Sequence, residues 1–137
     1  HRNPRLWNPK ACKAQQHGPD YLLVEGSGPA LLTDLCGFMD LVATVAQRGR
    51  YRRAVLDLTG VEIALSFTEH LHLGAYAAER LRNLERVASV VSVQNRKGTS
   101  EKAAQKLGLR VRTFTSFDEG LQWIGELQVN LASVDSA

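Results

Sequence analysis

The residues best suited to bind a ligand form one polar stretch, residues 95–100, with the sequence Asn-Arg-Lys-Gly-Thr-Ser. Two cations and two hydroxyls precede a predicted helix there, and the free amides and dipole of a helix N-terminus attract anions. We therefore expect a phosphate or carboxylate to bind at this loop. The stretch lacks the G-x-x-x-x-G-K-[ST] spacing of a P-loop, so the alternative is a solvated turn in which Thr99 caps the helix.

A second polar group opens the preceding predicted helix. Ser66 and Glu69 have the S-x-x-E spacing of a capping box, in which each side chain accepts a hydrogen bond from the other residue's backbone amide. A phosphate on Ser66 would lie at a helix N-terminus, where negative charge is favoured. The cap alone explains this serine without any modification.

Catalytic and metal-binding patterns are weak. Glu69, His70 and His72 come closest, but residues two apart on a helix point to different faces, so the imidazoles are poorly placed to bind one ion. We expect exposed or half-buried histidines beside Tyr76. Asp57 is expected to accept backbone hydrogen bonds in a following turn. Since no nucleophile and base pair stands out, the sequence predicts no enzyme, no metal and no cofactor.

The net charge of +3 lies mostly at the N-terminus. Residues 1–19 hold four cations and no acid, whereas the remaining 13 basic and 14 acidic residues nearly cancel. Nucleic-acid binding needs a basic stripe on a folded face, and the densest arginine cluster, residues 48–53, falls in a predicted connection between a helix and a strand. We therefore expect no nucleic-acid partner.

The length and composition are those of one globular domain, with 137 residues, of which 44% are hydrophobic and 23% charged. No apolar run reaches the roughly 20 residues that span a bilayer, and no signal core follows the basic N-terminus. The expectation is a cytoplasmic protein without membrane insertion. We divide the chain into an N-terminal arm (1–9), a domain (10–127) and a frayed tail (128–137).

The N-terminal part of the domain predicts a hairpin followed by a helix. An edge strand from Lys10 to Gln16 pairs with a strand from Tyr21 to Glu25, which the sequence Gly-Ser-Gly-Pro at 26–29 then ends. The helix begins near Thr33, a candidate N-cap, and ends at Gly49. Its inner face is predicted to be Leu35, Phe38, Met39, Val42 and Val45.

Two largely apolar runs, 54–58 and 87–93, predict central parallel strands, and the alternating segment 110–115 predicts a further parallel strand with one more exposed face. Between the first two lies the helix that begins at Ser66, with a predicted inner face of Phe67, Leu71, Gly74, Ala78 and Leu81. A short helix over 99–107 is closed by Gly108. A second capping box, Ser116 with Glu119, opens a final helix with an inner face of Phe117, Leu121, Ile124 and Leu127.

This order predicts an α/β fold, with a five-stranded mixed sheet, an N-terminal antiparallel hairpin and four helices. Ligands of open parallel sheets usually bind outside the carboxyl ends of the strands. The loops 59–66, 94–100 and 115–116 should therefore share one edge of the sheet, which we call the rim. The candidate site residues on the rim are Ser66, Thr68, Asn95, Arg96, Lys97, Thr99, Ser100 and Ser116.

Three segments, together with the order of the elements, resemble the STAS domain and more closely its SpoIIAA-like branch of small stand-alone bacterial proteins. They are 56–61 (Leu-Asp-Leu-Thr-Gly-Val), 108–114 (Gly-Leu-Arg-Val-Arg-Thr-Phe) and 117–124 (Phe-Asp-Glu-Gly-Leu-Gln-Trp-Ile). STAS domains form anti-sigma-factor antagonists and the tails of sulfate transporters. The resemblance covers 10–127 and implies the SpoIIAA-like fold, and none of the three segments is a catalytic signature.

Phosphoswitching members of that family carry Asp-Ser-Ser-Gly after the central strand, with the phosphorylated serine at the start of the next helix. This chain has Leu65-Ser66-Phe67-Thr68 there. The alignment places Phe67 at the phosphoacceptor and Leu65 at the aspartate. The resemblance therefore does not carry the phosphorylation switch to this chain.

Two functions remain as hypotheses. One is a non-enzymatic module that docks a protein partner through the rim and the exposed face of the helix over 66–83. The alternative is a protein that binds a small anionic or lipid-like ligand between the rim and the helices, since the related branch is often grouped with lipid-binding Sec14-like domains. A homodimer is a further expectation, because the N-terminal hairpin leaves a strand edge that needs cover.

Overall fold

The computed structural model describes residues 13–17 and 21–126, with side chains from residue 21 onward. The elements are β1 (Lys13–His17), β2 (Tyr21–Ala30), α1 (Leu32–Gly49), β3 (Arg53–Ile63), α2 (Phe67–Arg80), β4 (Arg86–Val90), α3 (Thr99–Lys106), β5 (Val111–Phe114) and α4 (Phe117–Gly125). A 3₁₀ turn, Val93–Asn95, lies between β4 and α3. The predicted arm, residues 10–12, the hairpin turn at 18–20 and the tail lie outside the described residues.

The sheet has the strand order β1-β2-β3-β4-β5. Four strands, β2 to β5, are parallel, and β1 pairs with β2 in the antiparallel direction. The alternation of strands and helices along the sequence therefore predicted the parallel part of the sheet and the four α-helices of the described chain.

Helices cover both faces of the sheet. Successive side chains of a strand point to opposite faces, so Ala54 and Leu56 of β3 join the core under α1, α2 and α3, while Val55 joins the core under α4. Ala54, Val55 and Leu56 are all at most 2% exposed. This two-sided burial is the reason why the central strands read as continuous apolar runs.

The prediction that Gly26-Ser27-Gly28-Pro29 ends β2 is wrong. β2 continues to Ala30 and β3 continues to Ile63, so that Ser27–Ala30 pair with Gly60–Ile63. The register shifts between Glu25 and Ser27, and Gly28 has a φ of 95°. A local irregularity of this kind admits glycine within a strand. Residues 59–63 of the predicted rim are consequently strand and not loop.

The helix starts confirm some predicted caps and correct others. Leu31, not Thr33, is the N-cap of α1, and its amide donates to Asp34 Oδ2 at 2.7 Å. Gly98, not Thr99, is the N-cap of α3, with a φ of 81°. Ser116 Oγ accepts a hydrogen bond from the Glu119 amide at 3.3 Å, which is one of the two bonds of the predicted capping box.

Two arginines at the starts of β3 and β4 hold the end of α4. Arg86 is 6% exposed, and its Nη1 donates to the Trp123 carbonyl at 2.6 Å. Arg53 Nη1 donates to the carbonyls of Ile124 and Glu126, each at 2.6 Å. The last carbonyls of a helix have no partner within it and attract cations, so these guanidinium groups fix α4 on its face of the sheet.

On the other face, α2 and α3 meet at Gly74. A Cβ atom at this position would overlap the Ser100 carbonyl oxygen and the Ala103 Cβ. Gly74 is therefore required by the close packing of the two helices and not by its own backbone conformation.

We expect Gly74→Ala to lower the free energy of unfolding by about 1 to 3 kcal/mol, because the overlap outweighs alanine's better helix propensity. Gly37→Ala in α1 is the matched control, since a Cβ there meets nothing within 4 Å. That variant should raise the free energy of unfolding by up to about 1 kcal/mol. Urea denaturation measures both, and equal stabilisation by the two changes would contradict the packing described.

Candidate functional site

The buried face of α2 matches the predicted one at Gly74, Ala78 and the following Leu81, and differs from it at Phe67 and Leu71. Phe67 and Leu71, predicted in the core, are 68% and 40% exposed. The buried residues are Leu73, Gly74, Ala77 and Ala78. At Gly74 the approach of α3 leaves no room for a side chain, and three of the four buried residues of α2 are glycine or alanine.

The outward face of α2 carries an apolar row, Phe67, Leu71 and Ala75, which we call the α2 stripe. These residues are four apart and exposed, and such spacing aligns them along one side of a helix. His72, also exposed, stacks on Tyr76 with 6.5 Å between ring centroids, which confirms the expected neighbourhood of this histidine. An apolar row open to solvent is characteristic of interaction surfaces.

A cavity of about 90 Å³ lies beneath α2 and α3. Leu56, Val87 and Val111 line it from the strands, and Ala77 and Ala104 line it from the helices. The cavity is partly open to solvent, so a small molecule can enter it.

Polar residues gather where the cavity opens. Lys97 is exposed and also lines the cavity, so the opening lies beside it. His70 and Ser100 line the same cavity from α2 and α3. On the sheet, Ser89 of β4 and Thr113 of β5 are register partners and place two hydroxyls side by side within the lining.

His70 and Ser100 join the two helices by reciprocal hydrogen bonds. Ser100 Oγ donates to the His70 carbonyl at 3.0 Å, and His70 Nδ1 lies 2.9 Å from the same hydroxyl. Because the hydroxyl proton is already used, Nδ1–H must be the donor in the second bond. Burial and then the charge of Lys97 lower the pKa of His70 below its usual value of 6.5, against the opposing charge of Glu69. The imidazole is therefore neutral near pH 7.

Three of the eight predicted site residues line this cavity: Asn95, Lys97 and Ser100. Asn95 Nδ2 donates to the Val61 carbonyl at 3.0 Å, which holds the 3₁₀ turn against the end of β3. Arg96 is exposed, Thr99 is half-buried, and neither lines the cavity.

The other three predicted residues lie elsewhere. Ser66 forms the predicted capping box with Glu69, through bonds of 2.9 and 3.2 Å, and Thr68 is exposed in the first turn of α2. Ser116 caps α4, which packs on the opposite face of the sheet. The predicted residues therefore form separate groups, and ligand binding at any of them stays a prediction.

The sequence reasoning missed His70, Gly74, Ser89 and Thr113 as residues of one cavity. The spacing of His70, Gly74, Ala77 and Ala78 is that of one helix face and was the available signal. The predicted inner face includes Gly74 and Ala78, but it groups them with Phe67 and Leu71 instead of His70 and Ala77.

Asp57, the remaining acidic residue that the sequence singled out, has a structural role. Asp57 Oδ1 accepts hydrogen bonds from the amide and hydroxyl of Thr59, at 3.1 and 2.7 Å, which confirms its expected role although both residues lie within β3. Within residues 21–126, no three His, Cys, Asp or Glu side chains are placed to hold a metal ion. In the described part of the chain, no helix has the length and apolar character to cross a membrane.

Solved structures share this arrangement of strands and helices. The anti-sigma factor antagonist SpoIIAA in its unphosphorylated form matches with a TM-score of 0.54 at 11% identity, over 85% of this chain and 100% of that chain. An anti-sigma factor antagonist from Mycobacterium paratuberculosis matches with a TM-score of 0.60 at 15% identity, over 88% of this chain and 100% of that chain. This chain has the SpoIIAA-like (STAS) fold.

A third structure with the SpoIIAA-like fold is a DUF3478-family protein from Shewanella loihica, with a TM-score of 0.52, 18% identity, and coverage of 83% of this chain and 92% of that chain. No protein-family model and no curated protein matches the sequence of this chain. The comparisons thus confirm the resemblance in fold, and the function has to be argued from the residues of this SpoIIAA-like chain itself.

Acidification tests the His70 environment. Because the folded chain has the lower His70 pKa, the unfolded chain binds the proton first as the pH falls. The stability that neutral His70 contributes above about pH 6.5 is therefore lost as the pH falls from there toward the folded pKa.

We expect the free energy of unfolding, measured in urea between about pH 7.5 and pH 5, to fall more steeply for the wild type than for His70→Gln. His72→Gln removes an exposed histidine two positions away and should keep the wild-type slope. An unchanged slope in His70→Gln would refute the assigned environment.

Proposed function

We propose that this chain is a non-enzymatic protein-interaction module of STAS type that docks a protein partner through the α2 stripe and the adjoining rim. The observation that carries the proposal is the exposure of Phe67, a large aromatic side chain at the first position of α2 that is 68% open to solvent. Aromatic anchors of this kind supply much of the binding energy of protein interfaces.

The surroundings of Phe67 suit an interface. Val93, at the start of the 3₁₀ turn after β4, is 76% exposed. It lies at the same edge of the sheet as the start of α2, because β3 and β4 are parallel neighbours. The exposed cations Arg96 and Lys97 follow in the chain. An apolar patch bordered by positive charge favours a partner segment with apolar anchors and acidic flanks.

The names of the matched structures support a regulatory role, since two of them are anti-sigma factor antagonists. The position that the family resemblance aligns with the phosphoacceptor is Phe67, whose side chain has no hydroxyl to accept a phosphate. Docking at the α2 stripe is therefore proposed to operate without phosphorylation at this position.

A photo-crosslinking amino acid at position 67 identifies the partner, and calorimetry with the purified partner then measures affinity. We expect Phe67→Ser to weaken binding by at least about tenfold, because an interface anchor is lost. Leu107→Ser is the matched control, since Leu107 is 64% exposed at the far end of α3, and it should change the affinity by less than about twofold.

Equal binding by both serine variants would refute docking at the α2 stripe. Crosslinks formed only to a second copy of the chain would also refute a separate partner and would favour the homodimer. Light scattering at two protein concentrations shows whether the chain forms a homodimer.

The cavity favours a second candidate function, binding of a small anionic or lipid-like ligand. A ligand that binds only the folded state raises its melting temperature, so a screen with nucleotides, phosphate and aliphatic acids tests this function. We expect at least one anion to raise the melting temperature, and the double change Arg96→Ala and Lys97→Ala to reduce that shift. A shift that survives the double change would contradict anion binding at residues 95–100.

A further inference from the structure

We infer that the cavity beneath α2 and α3 binds a short branched aliphatic carboxylate of about four or five carbon atoms, with its carboxylate at Lys97. The inference deepens the second candidate function and rests on it. It does not involve the α2 stripe, whose three residues do not line the cavity, although the proposed partner docking also draws on Lys97 of the rim.

The volume limits the size of the ligand. A water molecule takes up about 30 Å³ of liquid, and a cavity of about 150 Å³ admits benzene. The cavity of about 90 Å³ therefore holds about three or four methyl or methylene groups. Long acyl chains and nucleotide bases need more space than this, since benzene alone occupies a cavity of about 150 Å³. A branched end fills a compact cavity better than a linear chain does.

The lining determines which part of the ligand enters. Strand residues Leu56, Val87 and Val111 and helix residues Leu73 and Ala104 present apolar side chains to the cavity. Ser89 and Thr113 also place hydroxyls in the lining, but most of the lining surface is apolar, and such a surface accepts apolar guests. The hydrocarbon end of the ligand therefore enters, and burial of its surface supplies much of the binding free energy.

The opening determines where the charged end stays. Lys97 is the cation that lines the cavity within the described residues, and its exposure leaves a paired carboxylate partly hydrated. Partial hydration limits the desolvation that a fully buried ion pair suffers. Glu101 also lines the cavity, but its Oε2 accepts from the Thr113 amide at 3.0 Å and from Gln105 Nε2 at 3.4 Å. That acid is thus held toward β5 by two donors.

The test uses 3-methylbutanoate with the full chain, by calorimetry and by amide shifts in two-dimensional NMR. A ligand of about seven non-hydrogen atoms, with an efficiency per atom between those of drug-sized and of the smallest ligands, binds in about the millimolar range. We expect saturable binding, with amide shifts at Val87, Ser89 and Leu109, which lie around the cavity. Octanoate, which is too long, and inorganic phosphate, which has no apolar end, should bind at least about tenfold more weakly.

Lys97→Gln should weaken the binding of 3-methylbutanoate about tenfold, because it removes a charge-assisted contact. Arg96→Gln is the matched control, an exposed neighbouring cation that does not line the cavity, and should change affinity by less than about twofold. Ala104→Leu, checked for folding by circular dichroism, should abolish binding by filling the cavity. The bound carboxylate should also raise the pKa of His70 in an NMR titration, since it offsets the charge of Lys97.

Absence of saturable binding up to about 20 mM would overturn the inference, because that lies above the expected range. Equal losses of affinity for 3-methylbutanoate in the Lys97 and Arg96 variants would overturn the inference as well. Tighter binding of phosphate or octanoate than of 3-methylbutanoate would overturn the ligand class and leave the second candidate function standing. Wild-type affinity for 3-methylbutanoate in Phe67→Ser would support the separation of the cavity from the α2 stripe.

Discussion

The contact of α2 with α3 at Gly74 determines how both sides of α2 are used. Because a Cβ at Gly74 would overlap Ser100 and Ala103, the helix must present its smallest residues to α3. In the same helix Phe67 and Leu71 are exposed, while His70 and Gly74 line the cavity. An exposed apolar surface and an apolar cavity thus occupy neighbouring faces of a single helix.

The polar contacts of α3 maintain this arrangement. Ser100 joins α3 to α2 through His70, while Glu101 and Gln105 bond the Thr113 amide and the Val111 carbonyl of β5. Without these hydrogen bonds the two backbone groups would have no partner at the edge of the sheet. α3 therefore also protects that edge from pairing with another chain. The surface proposed for docking and the cavity proposed for ligand binding therefore belong to the same pair of helices, and the residues of the α2 stripe do not line the cavity.

Much of the fold could be predicted from the sequence, because the patterns that mark strands and helix starts are local. The run around Val55 is apolar at every residue since both faces of β3 are covered, and the capping box of Ser66 and Glu69 marks the start of α2 without reference to any other element. Signals that depend on distant contacts were misread. Gly26–Pro29 continue β2 only because β3 extends beside them, and the buried face of α2 depends on how closely α3 approaches. Lys97 and Ser100, which lie in a loop and at the start of a helix, are among the candidates predicted from the sequence, whereas Ser89 and Thr113, which line the same cavity from strands, are not.

The orientation of α2 is tested most directly by nuclear Overhauser effects in the isotopically labelled wild-type chain. The structure predicts strong cross peaks between the Gly74 Hα protons and the Ala103 methyl group, with none from the Phe67 ring to Leu56 or Val87. Cross peaks from the Phe67 ring to those core residues, without a contact between Gly74 and Ala103, would contradict the account, because α2 would then bury the face that is assigned here to solvent.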